Sequence, residues 1–284
     1  MGSVRCMVNQ FRRWGKSMRV WMVFVLFAIF ISTNFCGSIR AFCQQYDVAC
    51  SVWLMPLILA KMNHKLWIML LPILLFCDAP FLDEQQPFLI VRIGRLRWAV
   101  GEILYILLAS AVFYLGCMLV SVLLISPYVE FTTGWGRVLR TLTQASVASP
   151  LQMDAIMERV ILAYTAPEAT LLCGIATWIA TSFLGLLMFL CNLWARREVG
   201  IIVAAIFVGL SYFIDAMGYV SRLWNTARYV SPVSWVDLNI VGMGTFRSPS
   251  WSYIIVAGCV LLAVLIAAIL LSVRRKSIDI VQSI

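Results

Sequence analysis

Residues 251–273 read WSYIIVAGCVLLAVLIAAILLSV, a run without a single charged side chain. A helix needs about 20 mostly apolar residues to cross roughly 30 Å of hydrocarbon while closing its own backbone hydrogen bonds. This run meets that requirement, and so do residues 20–36, 100–125, 170–194 and 201–220. A sixth apolar region, 52–76, is interrupted by Lys61, His64 and Lys65. We read it as a short interfacial segment, 52–60, followed by a span over about 66–81 that includes Pro72. One long tilted helix across 52–81 is the competing reading, and both leave six crossings. The expected fold is all-α: a polytopic membrane protein with about six transmembrane helices over 20–273.

Composition agrees with these runs. Of 284 residues, 62% are hydrophobic and 12% charged, whereas a soluble domain carries about a quarter charged residues. Disorder is excluded, because it requires low hydrophobicity and high charge. A small disulfide scaffold is excluded too, since nine Cys are sparse in a chain of this length. The net charge of +9, from 22 Lys and Arg against 13 Asp and Glu, would suit nucleic acid only if the cations were massed on one face.

They are instead distributed by topology. With the N-terminus inside, the inner segments hold Arg5, Arg12, Arg13, Lys16 and Arg19, then Arg92, Arg95 and Arg97, then Arg196 and Arg197, then Arg274, Arg275 and Lys276. These thirteen of the 22 basic residues occupy the shorter loops, which places both termini, including the tail 274–284, in the cytoplasm. No nucleic-acid partner is expected. The first apolar run lies about 20 residues into the chain and ends at Thr33, Asn34, Phe35 and Cys36 without a small-x-small cleavage pattern, so we read it as a retained span. Trp14, Trp21, Trp67, Trp98, Trp194 and Trp251 stand near span ends, where amphipathic rings meet headgroups.

Within 1–19, Val4, Met7, Val8, Phe11, Trp14 and Met18 recur at three- and four-residue steps with the cations mostly elsewhere. This predicts a basic amphipathic helix on the inner leaflet. The segment Trp14-Gly15-Lys16-Ser17 ends like a phosphate loop, but Gln10 stands where the earlier glycine is needed and no strand precedes it. ATP binding by this chain is excluded on that ground.

The inner loop, about 78–99, changes sign along its length. Asp78, Asp83 and Glu84 precede Arg92, Arg95 and Arg97, and Pro80 and Pro87 each suit a helix start. An apolar and charged loop held close to the membrane is suited to dock on a cytoplasmic protein.

The basic N-terminal helix, the six spans, the inner stretch Asp78-Ala79-Pro80-Phe81 followed by Arg92-x-x-Arg95-x-x-Trp98, and the long outer loop before the last span together resemble the permease subunits of ATP-binding cassette transporters of the second (ABC-2) type. That resemblance implies an exporter subunit in a bacterial cell membrane, paired with a second copy or a similar permease chain. It implies a separate cytoplasmic ATPase, which holds the ATP and Mg and drives the permease through a coupling surface on Asp78, Pro80, Phe81, Asp83, Glu84, Pro87, Arg92, Arg95 and Arg97. It further implies that the outer loop caps the pathway.

Outer loops are expected over about 126–169 and 221–250, both long enough to contain short elements of their own. Asp215 is the one acid well inside an apolar run, and an intramembrane carboxylate is a candidate polar site, functional or hydrogen-bonded within the structure. Glu102 is expected as a helix-start acid favoured by the macrodipole. Cys36, Cys43 and Cys50 fall on the outer side, where one pair can oxidise, although no obligatory disulfide is expected. No catalytic set is recognisable: His64 is the only histidine, and neither CxxC nor Gly-x-Ser-x-Gly occurs. No cofactor or metal of the chain's own is expected. Three other readings remain: an ATP-independent secondary transporter or channel, a polytopic membrane enzyme, and a scaffold or immunity protein.

Overall fold

The computed structural model describes residues 2–79, 93–144, 158–195, 197–218, 220–242 and 248–275. The chain is built of α1 (Gly2–Arg12), α2 (Met18–Tyr46), α3 (Met55–Leu59), α4 (Met62–Phe76), α5 (Arg95–Ile125), α6 (Gly136–Thr141), α7 (Glu158–Ala163), α8 (Ala166–Trp194), α9 (Arg197–Met217), α10 (Arg222–Ala227) and α11 (Trp251–Arg275). Two residues of β1 (Cys50–Ser51) pair in parallel with β2 (Val129–Glu130). Among the described residues, α2, α5, α8, α9 and α11 are long and apolar enough to cross a membrane, and α4 is a shorter apolar helix.

The two ends of the bundle differ. One end carries α1 and the start of α5; the other is closed by β1, β2, α3, α6, α7 and α10, and we call it the cap. α8 lies at the centre, packed against α5, α9 and α11. Its start is specified locally: Thr165 and Glu168 form a capping box, with a proline in the first turn. At the opposite end of the bundle, Gly94 enters α5 at φ +92°, a backbone conformation that side chains with a Cβ rarely adopt.

Several expectations change in the structure. The first apolar run does not stop at Cys36. A single wide turn over Ser32–Cys36 leads into a further helix, Gly37–Tyr46, that buries Ile39, Phe42 and Cys43. Polarity rises after residue 36, but tertiary packing continues the helix. Within 52–60, Leu54 to Ala60 are buried inside the protein, packed among its own helices. The expected break before the second span is present, with α3 ending at Leu59 and α4 beginning at Met62.

The apolar stripe expected over 1–19 divides. Met7, Phe11 and Trp14 pack on the core, while Val4, Val8 and Met18 stay exposed. Glu102 is not a first-turn acid, since it lies seven residues after Arg95. The macrodipole has faded by then, and Glu102 is buried against α1 instead. Trp98, in the first turn of α5, is likewise buried, edge-on to Phe189 with ring centroids 6.0 Å apart.

Candidate functional site

The break between α3 and α4 sets the site. Lys61 takes an extended backbone at the start of α4 and its carbonyl accepts from the Lys65 N–H at 2.9 Å, so Lys65 falls in the first turn. Asp215 lies in the last turn of α9, which brings both residues to the cap end. The loop after α9 then folds over them through two single-turn helices, Arg228–Val230 and Ser234–Val236, with Asp237 directly following the second.

Four ionisable side chains meet there. Lys65 Nζ donates to Asp215 Oδ2 at 2.6 Å and to Asp237 Oδ2 at 3.4 Å. Arg228 Nε stands 3.6 Å from Asp215 Oδ1, and its Nη2 donates to the Asp215 backbone carbonyl at 2.8 Å. Exposure is 2% for Lys65, 1% for Asp215, 6% for Arg228 and 4% for Asp237. Isolated charges this deep would be prohibitively costly. Two cations and two carboxylates cancel, however, and direct hydrogen bonds recover part of the lost hydration. Arg228 has a second role, because a cation bonded to the last carbonyls of α9 answers the negative end of that helix.

The surrounding bonds tie these groups to the fold. The Asn239 N–H donates to Asp237 Oδ1 at 2.9 Å, while its Nδ2 donates to the Ala60 carbonyl at 3.0 Å, closing the loop onto the α3–α4 break. Trp235 Nε1 donates to the Arg228 carbonyl at 3.0 Å, and Ser231 Oγ joins Ser211 Oγ on α9 at 2.7 Å. Gly218 lets the guanidinium approach the backbone closely, because a Cβ there would overlap it. Burial pushes the Asp237 carboxyl above its ordinary range, against the pull of Lys65 and the Asn239 N–H. Lys61 and His64 stand just outside the cluster, the ammonium over the Phe35 ring at 5.6 Å and the imidazole edge-on to Phe30 and Phe35.

Chemically this is a latch. Each charge is held by a partner from another segment, so α4, α9 and the cap loop separate only if buried charges are unpaired. Among the described residues no group of three or more His, Cys, Asp and Glu is placed to hold a metal ion. The cap has a second fastening, in which Trp135 Nε1 donates to the Tyr164 carbonyl, Trp251 Nε1 donates to the Tyr164 hydroxyl, and that hydroxyl donates to the Val241 carbonyl. Cys36, Cys43 and Cys50 carry free thiols.

The opposite end has its own polar contacts. Glu102 on α5 accepts from Gln10 Nε2 at 3.0 Å and from the Cys6 thiol at 3.4 Å, and Trp14 Nε1 donates to the Tyr105 hydroxyl at 2.9 Å. These bonds fix α1 along the foot of α5. Burial and the Glu102 carboxylate push the Cys6 thiol up to about 12.

The flanks of the inner loop are fixed at this end as well. Asp78 pairs with Arg19 at the start of α2. Asn192, near the end of α8, donates from Nδ2 to the Ala79 carbonyl at 2.6 Å, and its Oδ1 accepts from the Gly200 N–H of α9 at 2.9 Å. Arg95 and Arg97 are exposed at the foot of α5, on either side of a turn whose next residue, Trp98, is buried. Pro80, Phe81, Asp83, Glu84, Pro87 and Arg92 lie outside the described residues, so only the ends of the expected coupling surface are placed.

Of the sequence candidates, Asp215 is thus joined to Lys65, Arg228 and Asp237, none of which the reading of single runs singles out as a site. The available signal was positional: Lys65 and Asp215 both interrupt apolar runs near ends that topology places on the same side. No protein-family model matches the chain, and no curated protein or solved structure matches it at a significant level.

Proposed function

We propose that the chain is the membrane-spanning permease subunit of an ATP-binding cassette exporter, working in a bacterial cell membrane with a separate cytoplasmic ATPase and with a second permease copy or a similar chain. In this reading α4, approached by the buried α3, is the sixth crossing, and the basic α1 end faces the cytoplasm as the distribution of Lys and Arg favours. The chain hydrolyses nothing itself. The ATPase supplies ATP, Mg and motion, and this subunit converts the motion into access.

The observation that carries the reading is the fastening of the inner loop's ends. Asp78 is held to α2 through Arg19, Ala79 to α8 and α9 through Asn192, and Trp98 to α8 through Phe189. A force on the loop between them therefore reaches three crossings through short, directional contacts. At the far end the four-charge cluster fastens α4 and α9 to the cap, as an outer gate requires. The test is capture: the tagged chain, purified from its native host, retains a cassette ATPase, and reversing Arg92, Arg95 and Arg97 to Glu releases it. Failure to retain an ATPase, or retention indifferent to the reversal, overturns the assignment.

A second reading is an ATP-independent transporter. The α3–α4 discontinuity and the four buried ionisable groups are what such a protein would use. The balanced pairing of those groups favours a latch, and transport by the purified chain in vesicles without an ATPase would decide for the second reading.

A further inference from the structure

A groove of about 690 Å³ opens between α2, α4 and α9. Its walls include Phe27, Phe30, Leu71, Leu74, Ile201 and Ala205. Of all the lining side chains only Thr33, Trp67 and Cys77 carry a heteroatom, and the Thr33 hydroxyl is already bonded to the Ile29 carbonyl at 3.0 Å. The groove therefore offers an occupant shape and dispersion contact but almost no hydrogen bonding. Its volume falls within the usual range for small-molecule sites.

Length and charge point to one occupant. Along α4 the wall runs from Trp67 to Cys77, roughly 15 Å at the helical rise of 1.5 Å per residue. That is about half of a 30 Å hydrocarbon core, the depth of one leaflet. The Cys77 end is the basic end. Arg19 Nη1 lies 3.6 Å from Cys77 Sγ, its side chain remains 49% exposed while paired with Asp78, and exposed Arg12, Arg13 and Lys16 precede it in the chain. The Asp78 carboxylate shares this mouth with Arg19, but Arg12, Arg13 and Lys16 leave the α1 end net positive, which complements a lipid that carries a negative headgroup above a hydrocarbon chain.

We propose that this groove binds one acyl chain of an anionic phospholipid from the leaflet at the α1 end, with the headgroup phosphate beside Arg19. The lipid fills the seam where the short helix α4 leaves α2 and α9 incompletely packed, and it ties the start of α2 to the foot of α4. This inference rests on the helices crossing a bilayer and does not depend on coupling to an ATPase.

The test uses the full chain in lipid nanodiscs containing phosphatidylglycerol with a photoreactive diazirine in mid-chain, and a matched set made with phosphatidylcholine. Cross-links are expected within 26–33 and 67–77, with phosphatidylglycerol favoured. Ile29→Trp and Leu74→Trp fill the groove from exposed positions, where a larger ring disturbs no core contact, and each should cut the labelling about tenfold, equivalent to about 1.4 kcal/mol. Arg19→Gln should bring the two lipids to equal yield while leaving the label in the groove. Labelling spread over the exposed faces of α5 and α11, or indifferent to both tryptophans, overturns the proposal. Labelling seen only after a second copy of the chain is separated makes that copy the occupant and overturns it as well.

Discussion

Lys65 Nζ stands 2.6 Å from Asp215 Oδ2, although 150 residues separate them in the chain, and both side chains are almost wholly buried. This pair, extended by Asp237 and Arg228, joins α4, α9 and the loop that follows α9 at the cap end of the bundle. The weight of this cluster in stability lies less in the attraction of the charges than in the cost of leaving any one of them unpaired.

Lys65→Met removes the cation shared by two carboxylates and should lower stability by about 3 to 5 kcal/mol, read as the thermal midpoint in detergent. Adding Asp237→Asn to that variant should recover a substantial part, a coupling that a double-mutant cycle measures. The pH dependence should also change. Burial already holds the Asp237 carboxyl above its ordinary range, and in Lys65→Met it loses the opposing ammonium and keeps the like charge of Asp215 beside it. A carboxyl raised in the folded state favours folding when protonated. The variant should therefore be most stable below the ordinary carboxylate range and lose that stability as pH rises through the folded value.

Gly218→Ala places a methyl group in the space of the Arg228 guanidinium. That side chain is buried and already bonded to the Asp215 carbonyl, so the clash should cost about 1 to 3 kcal/mol. Gly209→Ala is the control. It lies within α9, the helix that Gly218 follows, a Cβ there meets nothing within 4 Å, and helix propensity should make it neutral or stabilising by up to about 1 kcal/mol. Thermal midpoints that move together in the two variants would count against the close approach at Gly218.

Cys6 should be a slow thiol. Raising its value from the ordinary 9 to about 12 reduces the thiolate at pH 8 by about a thousandfold. Gln10→Ala removes the main donor to Glu102 and loosens α1 from α5. Alkylation of Cys6 by N-ethylmaleimide should then accelerate at least about tenfold, which mass spectrometry of the N-terminal peptide resolves. An unchanged rate would mean that Gln10 does not hold the helix down.

What was legible in the sequence was hydrocarbon. Helices such as α5 and α11 announce themselves because twenty apolar residues have few alternatives to a bilayer. The break before α4 was also legible, since Lys61, His64 and Lys65 interrupt one run. What those residues do was not. A salt bridge between segments 150 positions apart leaves no local pattern, and Arg228 and Asp237 look like ordinary polar residues of a long loop until the fold buries them. Glu102 was misjudged for a related reason. Its place near a helix start was visible, but the approach of Gln10 from α1 was not. The extension of α2 to Tyr46 shows the same limit, because the signal that ends a membrane run does not end a helix.

Asn192 links the inner loop to the bundle through two bonds, one to the Ala79 carbonyl and one from the Gly200 N–H. Asn192→Leu keeps most of the volume and removes both. If the chain couples to an ATPase, this variant separates binding from transmission. The exposed Arg95 and Arg97 are unchanged, so capture of the ATPase should stay near the native level. The push on the loop, however, should reach α8 and α9 poorly. Stimulation of ATP hydrolysis by the permease should then fall about fivefold or more, the scale of a modest coupling energy. Arg95→Glu with Arg97→Glu should give the opposite pattern, with capture lost first and the thermal midpoint unmoved. Equal loss of capture and stimulation in Asn192→Leu would show that Asn192 only shapes the docking surface and that force enters the bundle elsewhere.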